Sequence, residues 1–191
     1  MYRVSETSPF ERLGLLCPAG GEALTALTAE IDLVAPPGRV EPRRFTPDDE
    51  QVDGVMIAGM MDLKYYELTD HSVRAVQSFL SDTVPNYNES VLGTATSFRA
   101  TKPKSGETYG VVDFDASTRR HLHNLHRDTA AALAELAGVE PDNAFGTQHR
   151  DLTVYWTSKR ANEDQRAAAR HIILRALPFA VTLGPPIAVS R

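Results

Sequence analysis

Apolar residues recur along the chain at two spacings, and these spacings predict where helices and strands lie. Leu24, Leu27 and Ile31 recur at intervals of three and four, which is the spacing of one helix face. Residues 52–61 are almost continuously apolar, which is typical of a buried strand. In the first half of the chain, the pattern predicts a strand over 11–17 ended by Pro18, a helix over 21–32, a strand over 52–61, a helix that begins after Thr69 or Asp70, and a strand over 90–100. In the second half, it predicts a strand over 108–113, a helix capped by Ser117 and ended by Gly138, and a strand over 151–156. A helix capped by Asn162 and strands over 179–183 and 187–189 follow.

The predicted elements occur in the same order, β-α-β-α-β, in both halves of the chain. The basic turn Lys102-Pro103-Lys104 separates the halves. We therefore predict an α+β fold in which two pseudo-symmetric β-α-β-α-β lobes pack around a central cleft. The whole chain, residues 1–191, is expected to form one bilobal domain, with lobe 1 over about 10–100 and lobe 2 over about 107–191.

An aspartate stands at a similar point in each half. The first half contains Val52-Asp53-Gly54-Val55-Met56, and the second contains Asp151-Leu152-Thr153-Val154. A duplicated fold brings equivalent positions together across one cleft, so Asp53 and Asp151 are candidate site residues. Side chains at i and i+2 of a strand share a face, which adds Thr153 to the same site.

This architecture, with its two motif strands, resembles the 2H phosphoesterase superfamily, which includes the 2′-5′ RNA ligase-like proteins and the cyclic phosphodiesterases. Members carry His-x-Thr/Ser-x once in each lobe, where x is apolar. The resemblance covers the chain from Arg12 to its C-terminus, and it depends on architecture and spacing. Of the four motif positions, only Thr153 matches.

The resemblance implies a reaction in which one histidine deprotonates the nucleophile and the other protonates the leaving oxygen, while the hydroxyls bind phosphoryl oxygens. Loss of one such acid or base typically costs about 10²- to 10⁴-fold in rate. With Asp53 and Asp151 in place of both histidines, we expect a degenerate member. It would bind a phosphate-containing nucleotide or short oligonucleotide in the cleft without two-histidine catalysis.

Two alternatives remain open at this point. In the first, the protein is an active phosphodiesterase that uses His149, which lies two residues before Asp151, or the aspartates themselves. In the second, it is a scaffold for protein interactions. The aspartates could also bind a divalent metal through oxygen or lie hydrated at the surface, and no metal or cofactor is predicted.

Basic and aromatic residues near the motif strands are the candidate ligand contacts. Strand alternation predicts that Tyr155 shares the cleft face with Thr153 and could stack on a base. The candidate phosphate contacts are Arg43, Arg44, Lys102 and Arg150.

Composition limits the classes of partner and compartment. A net charge of -5 and a pI near 5.7 disfavour long nucleic-acid duplexes and anionic membranes. No apolar run reaches 18 residues and no signal peptide is evident, so we expect a cytoplasmic protein with no membrane segment. The single Cys17 excludes an internal disulfide and is expected to be a buried thiol. His121, His123 and His126 are expected to lie on a solvated helix face, and the oligomeric state stays open.

Overall fold

The chain is a mixed α+β protein, as the sequence predicts. The computed structural model describes residues 12–35, 52–62, 73–101, 108–138, 151–157 and 162–189. The predicted order of elements is confirmed, with boundaries that differ by a few residues. The described elements are β1 (Arg12–Gly20), α1 (Glu22–Val34), β2 (Gly54–Asp62), α2 (Val73–Thr83), β3 (Val91–Thr101), β4 (Thr108–Phe114), α3 (Ala116–Ala137), β5 (Asp151–Thr157), α4 (Glu163–Ala176), β6 (Phe179–Leu183) and β7 (Ile187–Val189).

The described strands form one antiparallel sheet in the order β2-β1-β6-β3-β4-β5, with β7 also paired to β1. β2 and β5 are the two ends of this order, yet they contact each other. The sheet therefore curls until its two ends approach, which is the geometry of a nearly closed barrel.

The strand order is unchanged when the two halves of the chain are exchanged. If β1, β2 and β3 exchange labels with β4, β5 and β6, the order becomes β5-β4-β3-β6-β1-β2. This is the original order read from the opposite edge of the sheet. The helices follow the same exchange: α1 contacts β5 and β6, whereas α3 contacts β2 and β3. Apart from the β1–β7 pairing, which has no counterpart among the described strands, the pairing of strands and the placement of these helices thus repeat between the halves.

The hydrophobic core lies between the helices and one face of the sheet, here called the helix-packed face. Buried residues alternate along β6, whereas residues 14–17 of β1 and 110–112 of β4 are buried in succession, so both faces of the sheet are covered in part. Strand residues of this core include Cys17, Val55, Val112, Phe114 and Leu152, which cluster with Leu27 of α1 and Leu122 of α3. The other face of the sheet is called the open face. Leu16, Val111 and Val189 are buried outside the core cluster, and strand alternation places them on the open face.

β1 continues through Pro18, so the prediction that this proline ends the strand is wrong. β1 pairs with β7 through residues 14–16 and with β6 through residues 19–20, which leaves Pro18 at the junction between those partners. The carbonyl of Pro18 accepts a hydrogen bond from the Gly184 amide at 2.8 Å. Proline lacks an N–H group, and this junction is a position in the ladder where none is needed.

Asp115, and not Ser117, caps α3. The Asp115 carboxylate accepts hydrogen bonds from the Thr118 amide at 2.8 Å and from the Ser117 hydroxyl at 2.7 Å. These bonds lower the pKa of Asp115 from 3.8 to about 2, the Thr118 amide being the larger cause.

The other predicted helix ends have mixed outcomes. The predictions for Gly138 and Asn162 are confirmed: Gly138 is left-handed with φ 67°, and Asn162 forms a capping box with Gln165. Thr69 and Asp70 lie outside the described residues.

Candidate functional site

β5 places Asp151 and Thr153 on the open face. Leu152, between them, is buried in the core, and Thr153 is exposed. The register of β5 on β4 then shifts, because Val111 pairs with Thr153 whereas the preceding residue of β4 pairs with Tyr155. Val154 is therefore an extra residue, which forms a β-bulge.

The bulge moves Tyr155 to the helix-packed face, so the prediction that Tyr155 shares a face with Thr153 is wrong. Tyr155 is buried and belongs to the core. Its ring packs beside Phe98 over Gly110, where an added Cβ would lie 2.6 Å from an atom of either ring. Strand alternation assumes a regular ladder, and the extra residue breaks that assumption.

On the open face, Arg99 of β3 forms ion pairs with two carboxylates. Its guanidinium donates to Asp151 Oδ2, and its Nε lies 3.5 Å from Asp113 Oδ2. The Ser97 hydroxyl lies 3.4 Å from the same oxygen of Asp113. Arg99, Asp113, Asp151 and the hydroxyls of Ser97 and Thr153 form what we call the Arg99 cluster.

The strand register accounts for this arrangement. Ser97, Asp113 and Asp151 lie opposite one another on β3, β4 and β5. Arg99 lies two residues beyond Ser97 on the same face, so it reaches both carboxylates diagonally, and diagonal neighbours are within range of a long side chain. The cluster therefore follows from the pairing of three strands.

The members of the Arg99 cluster differ in exposure. The side chain of Asp151 is only 14% exposed, whereas those of Asp113 and Arg99 are 33% and 44% exposed. Solvent therefore screens the Arg99–Asp151 pair less than a fully exposed pair. The charges sum to one negative unit, because two carboxylates face one guanidinium.

Asp53 holds a different position in its strand from that of Asp151. It precedes β2, and its carbonyl accepts a hydrogen bond from the Ala19 amide at 3.0 Å. Its side chain is exposed and has no ion-pair partner among the described residues. Val55, two residues later, is in the core, whereas Thr153, two residues after Asp151, is exposed.

The match between the two aspartates is therefore offset by one residue. Val55 pairs with Cys17, and Leu152 pairs with Val112, and both pairs lie in the core. Counting back from these pairs, the residue of β2 that corresponds to Asp151 is Gly54. A Cβ at Gly54 would lie 2.0 Å from the Cys17 carbonyl oxygen, so this position cannot carry a side chain without movement of β1.

The remaining predicted site residues, Arg43, Arg44, Lys102, His149 and Arg150, lie outside the described residues.

His126 contacts the first half of the chain and is not simply solvated. Its Nδ1 lies 2.6 Å from the carbonyl oxygen of Ile57 in β2. A carbonyl only accepts, so Nδ1 carries the proton. Ile57 stands between two shifted pairs of the β1–β2 ladder, and the histidine therefore bonds to the carbonyl of a bulge residue.

Among the described residues, the structure contains no metal-binding cluster and no reactive cysteine. Within the part of the chain that the structure describes, no group of three or more His, Cys, Asp or Glu side chains could hold a metal ion. Cys17 is buried, as the sequence predicts, and burial raises the pKa of its thiol to about 12. The thiol is therefore not a nucleophile at neutral pH.

Sequence reasoning missed Arg99 and Asp113. Two local signals mark them: Ser97 and Arg99 alternate with less polar residues in β3, and Asp113 is the only charged residue in the run over 109–114. Their meeting with Asp151 depends on the register of β3, β4 and β5, which no single segment encodes.

The chain matches no protein-family model and no curated protein. Within the described ranges, no helix has both the length and the apolar character to span a membrane.

Proposed function

We propose that this protein binds a small phosphate-containing nucleotide or a short oligonucleotide without hydrolysing it, on a fold similar to that of the 2H phosphoesterases. The observation that carries the proposal is the ion pair between Arg99 and Asp151 on the open face. On the resemblance to that family, Asp151 would replace a catalytic histidine, and it has a cationic partner in Arg99.

The repeated strand order supports the architectural part of the proposal. Two pseudo-symmetric lobes would each contribute a β-α-β-α-β unit, and β2 and β5 would lie at equivalent places. The open face would then line the central cleft, since the helices cover the other face.

The ion pair supports the absence of two-histidine catalysis. The family reaction uses an imidazole for proton transfer, whereas Asp151 is a carboxylate held in an ion pair with Arg99. Gly54 of β2 cannot carry a catalytic side chain, because β1 occupies the space. The two motif strands therefore carry an ion-paired carboxylate and a glycine, and neither carries a histidine at the position that the family reaction uses.

The composition of the open face supports binding. Arg99 and the exposed hydroxyls of Ser97 and Thr153 offer donors to a phosphate group, whereas Leu16 and Val111 on the same face are buried.

The test combines a binding assay with a hydrolysis assay on the full chain. The ligands are adenosine 2′,3′-cyclic monophosphate, a 2′-5′-linked diadenylate and adenosine 5′-monophosphate. At about 100 times its dissociation constant, a ligand raises the free energy of unfolding by about 2.7 kcal/mol, which raises Tm by several degrees. Arg99→Gln and Thr153→Val are expected to reduce this shift, and Arg170→Gln on the exposed surface of α4 is the matched control.

Each alternative function predicts a different result. Hydrolysis of either phosphodiester by the wild type would overturn the non-catalytic proposal and favour a phosphodiesterase that uses His149, Asp53 or Asp151. Absence of a thermal shift with all three ligands would overturn the binding proposal and favour a protein-interaction scaffold.

A further inference from the structure

The charged side chains of the Arg99 cluster are unequal in sign. Arg99 supplies one positive charge, and Asp113 and Asp151 supply two negative charges within its reach. Asp113 also lies within reach of the Ser97 hydroxyl. An anionic group that approaches Arg99 therefore meets two carboxylates that already occupy it.

We propose that Asp113 and Asp151 select ligands by charge: the site accepts an anionic group that carries one negative charge and disfavours one that carries two. This inference rests on the proposed function, because it concerns the selectivity of the same site. Asp151 and Asp113 are then specificity-determining residues, and Arg99 is the residue that binds the anion.

The physical basis is the net charge of the cluster. A ligand anion near Arg99 has to share the guanidinium with Asp151, whose side chain is the least exposed of the three. Each further negative charge on the ligand then interacts with a cluster whose net charge is already negative. At about 5 Å, with an effective dielectric constant between that of a protein surface and that of water, one such repulsion weakens binding on the order of tenfold.

Two ligands that differ by one charge test the inference directly. Adenosine 5′-monophosphate is close to a dianion at pH 8, whereas its phosphate methyl ester is a monoanion with the same base and sugar. The wild type is expected to bind the methyl ester about tenfold more tightly, as measured by isothermal titration calorimetry. Arg99→Gln is expected to weaken binding of both ligands.

Neutralising a carboxylate is expected to remove the discrimination. Asp151→Asn keeps the size of the side chain and should increase the affinity for the dianion more than that for the monoanion. The ratio of the monoanion affinity to the dianion affinity should then fall to about threefold or less. Asp113→Asn is expected to act in the same direction, and it provides the test if Asp151→Asn does not fold. Asp32→Asn on the exposed surface of α1 changes the net charge equally and should leave the ratio unchanged.

The outcomes separate this inference from the function on which it rests. If the wild type binds the dianion as tightly as the methyl ester, or if both Asn variants keep the wild-type ratio, the charge selection is wrong and the binding function stands. If neither ligand binds, the proposed function fails, and the inference fails with it.

Discussion

Arg99 on β3 reaches Asp151 on β5 across the intervening strand β4. Adjacent strands lie about 4.8 Å apart, so this contact spans about 10 Å of sheet and needs a side chain of the length of arginine. Asp113 lies on β4, between these two strands, and its Oδ2 is 3.5 Å from Nε of Arg99. Arg99, which belongs to neither aspartate motif, thus connects β5, the strand of the second motif, to β3 in the middle of the sheet.

The Arg99–Asp151 pair is expected to contribute measurably to stability. A double-mutant cycle with Arg99→Gln and Asp151→Asn should give a coupling free energy of about 0.5–1 kcal/mol, the upper part of the range for surface pairs, because Asp151 is mostly shielded from solvent. Urea unfolding measures it. The Arg175–Glu30 pair is the matched control, because the side chain of Arg175 is 60% exposed and that of Glu30 is 45% exposed. Its coupling free energy should be near zero. Equal couplings for the two pairs would contradict the role assigned to burial.

Gly110 is expected to tolerate no side chain. The Cβ of Gly110→Ala would lie 2.6 Å from ring atoms of Phe98 and Tyr155, so the substitution should lower the free energy of unfolding by about 1–3 kcal/mol. Gly20→Ala is the control, because nothing lies within 4 Å of a Cβ at that position. Smaller rings relieve the clash, so Phe98→Leu is expected to recover part of the loss. A cost at Gly20 as large as that at Gly110 would count against this explanation.

The order of elements was predictable because it depends on local periodicity. Each predicted helix and strand has a described counterpart, and β6 and β7 occupy the predicted residues 179–183 and 187–189. The same local reasoning misplaced the end of β1, since the pairing that tolerates Pro18 comes from β6 and β7, more than 150 residues later in the chain.

The site was less predictable because it depends on register. A single extra residue in β5 transferred Tyr155 to the core, and a one-residue offset separated Asp53 from the position that corresponds to Asp151. Neither change alters composition or periodicity enough to be detected in one sequence. Asp151 and Thr153 were placed on one face correctly, because they precede the bulge.

Tyr155→Phe is expected not to destabilise the protein. The Tyr155 hydroxyl is buried and has no hydrogen-bond partner among the described residues. A buried, unpaired hydroxyl carries a desolvation cost, so its removal should leave the free energy of unfolding unchanged or raise it by up to about 1 kcal/mol. Thermal and urea unfolding measure the change. Ligand affinity should also be unaffected, since the side chain lies on the helix-packed face; weaker binding by the variant would place Tyr155 in the site after all.

The cap of α3 is expected to make stability depend on pH. The pKa of Asp115 is lowered from 3.8 to about 2, so the folded state binds this proton less readily than the unfolded state. The stabilisation is therefore complete above about pH 4 and is lost as the pH falls toward 2. Asp115→Asn keeps a capping oxygen but does not titrate. The stability difference between wild type and this variant should shrink from pH 6 to pH 2 in urea unfolding, and a constant difference would contradict the assignment.

His126 is expected to stabilise the contact between α3 and β2. Its Nδ1 donates to the Ile57 carbonyl at the bulge, and its loss would leave a buried acceptor unpaired. His126→Ala should therefore lower the free energy of unfolding by about 1–3 kcal/mol. His123→Ala, on the exposed surface of the same helix, is the matched control and should change it by less than about 0.5 kcal/mol. Amide hydrogen exchange should also become faster in β2 of His126→Ala, because the helix of one half would no longer bond to the strand of the other. Unchanged protection of β2, together with equal stability losses in the two variants, would mean that the hydrogen bond does not tie the halves together.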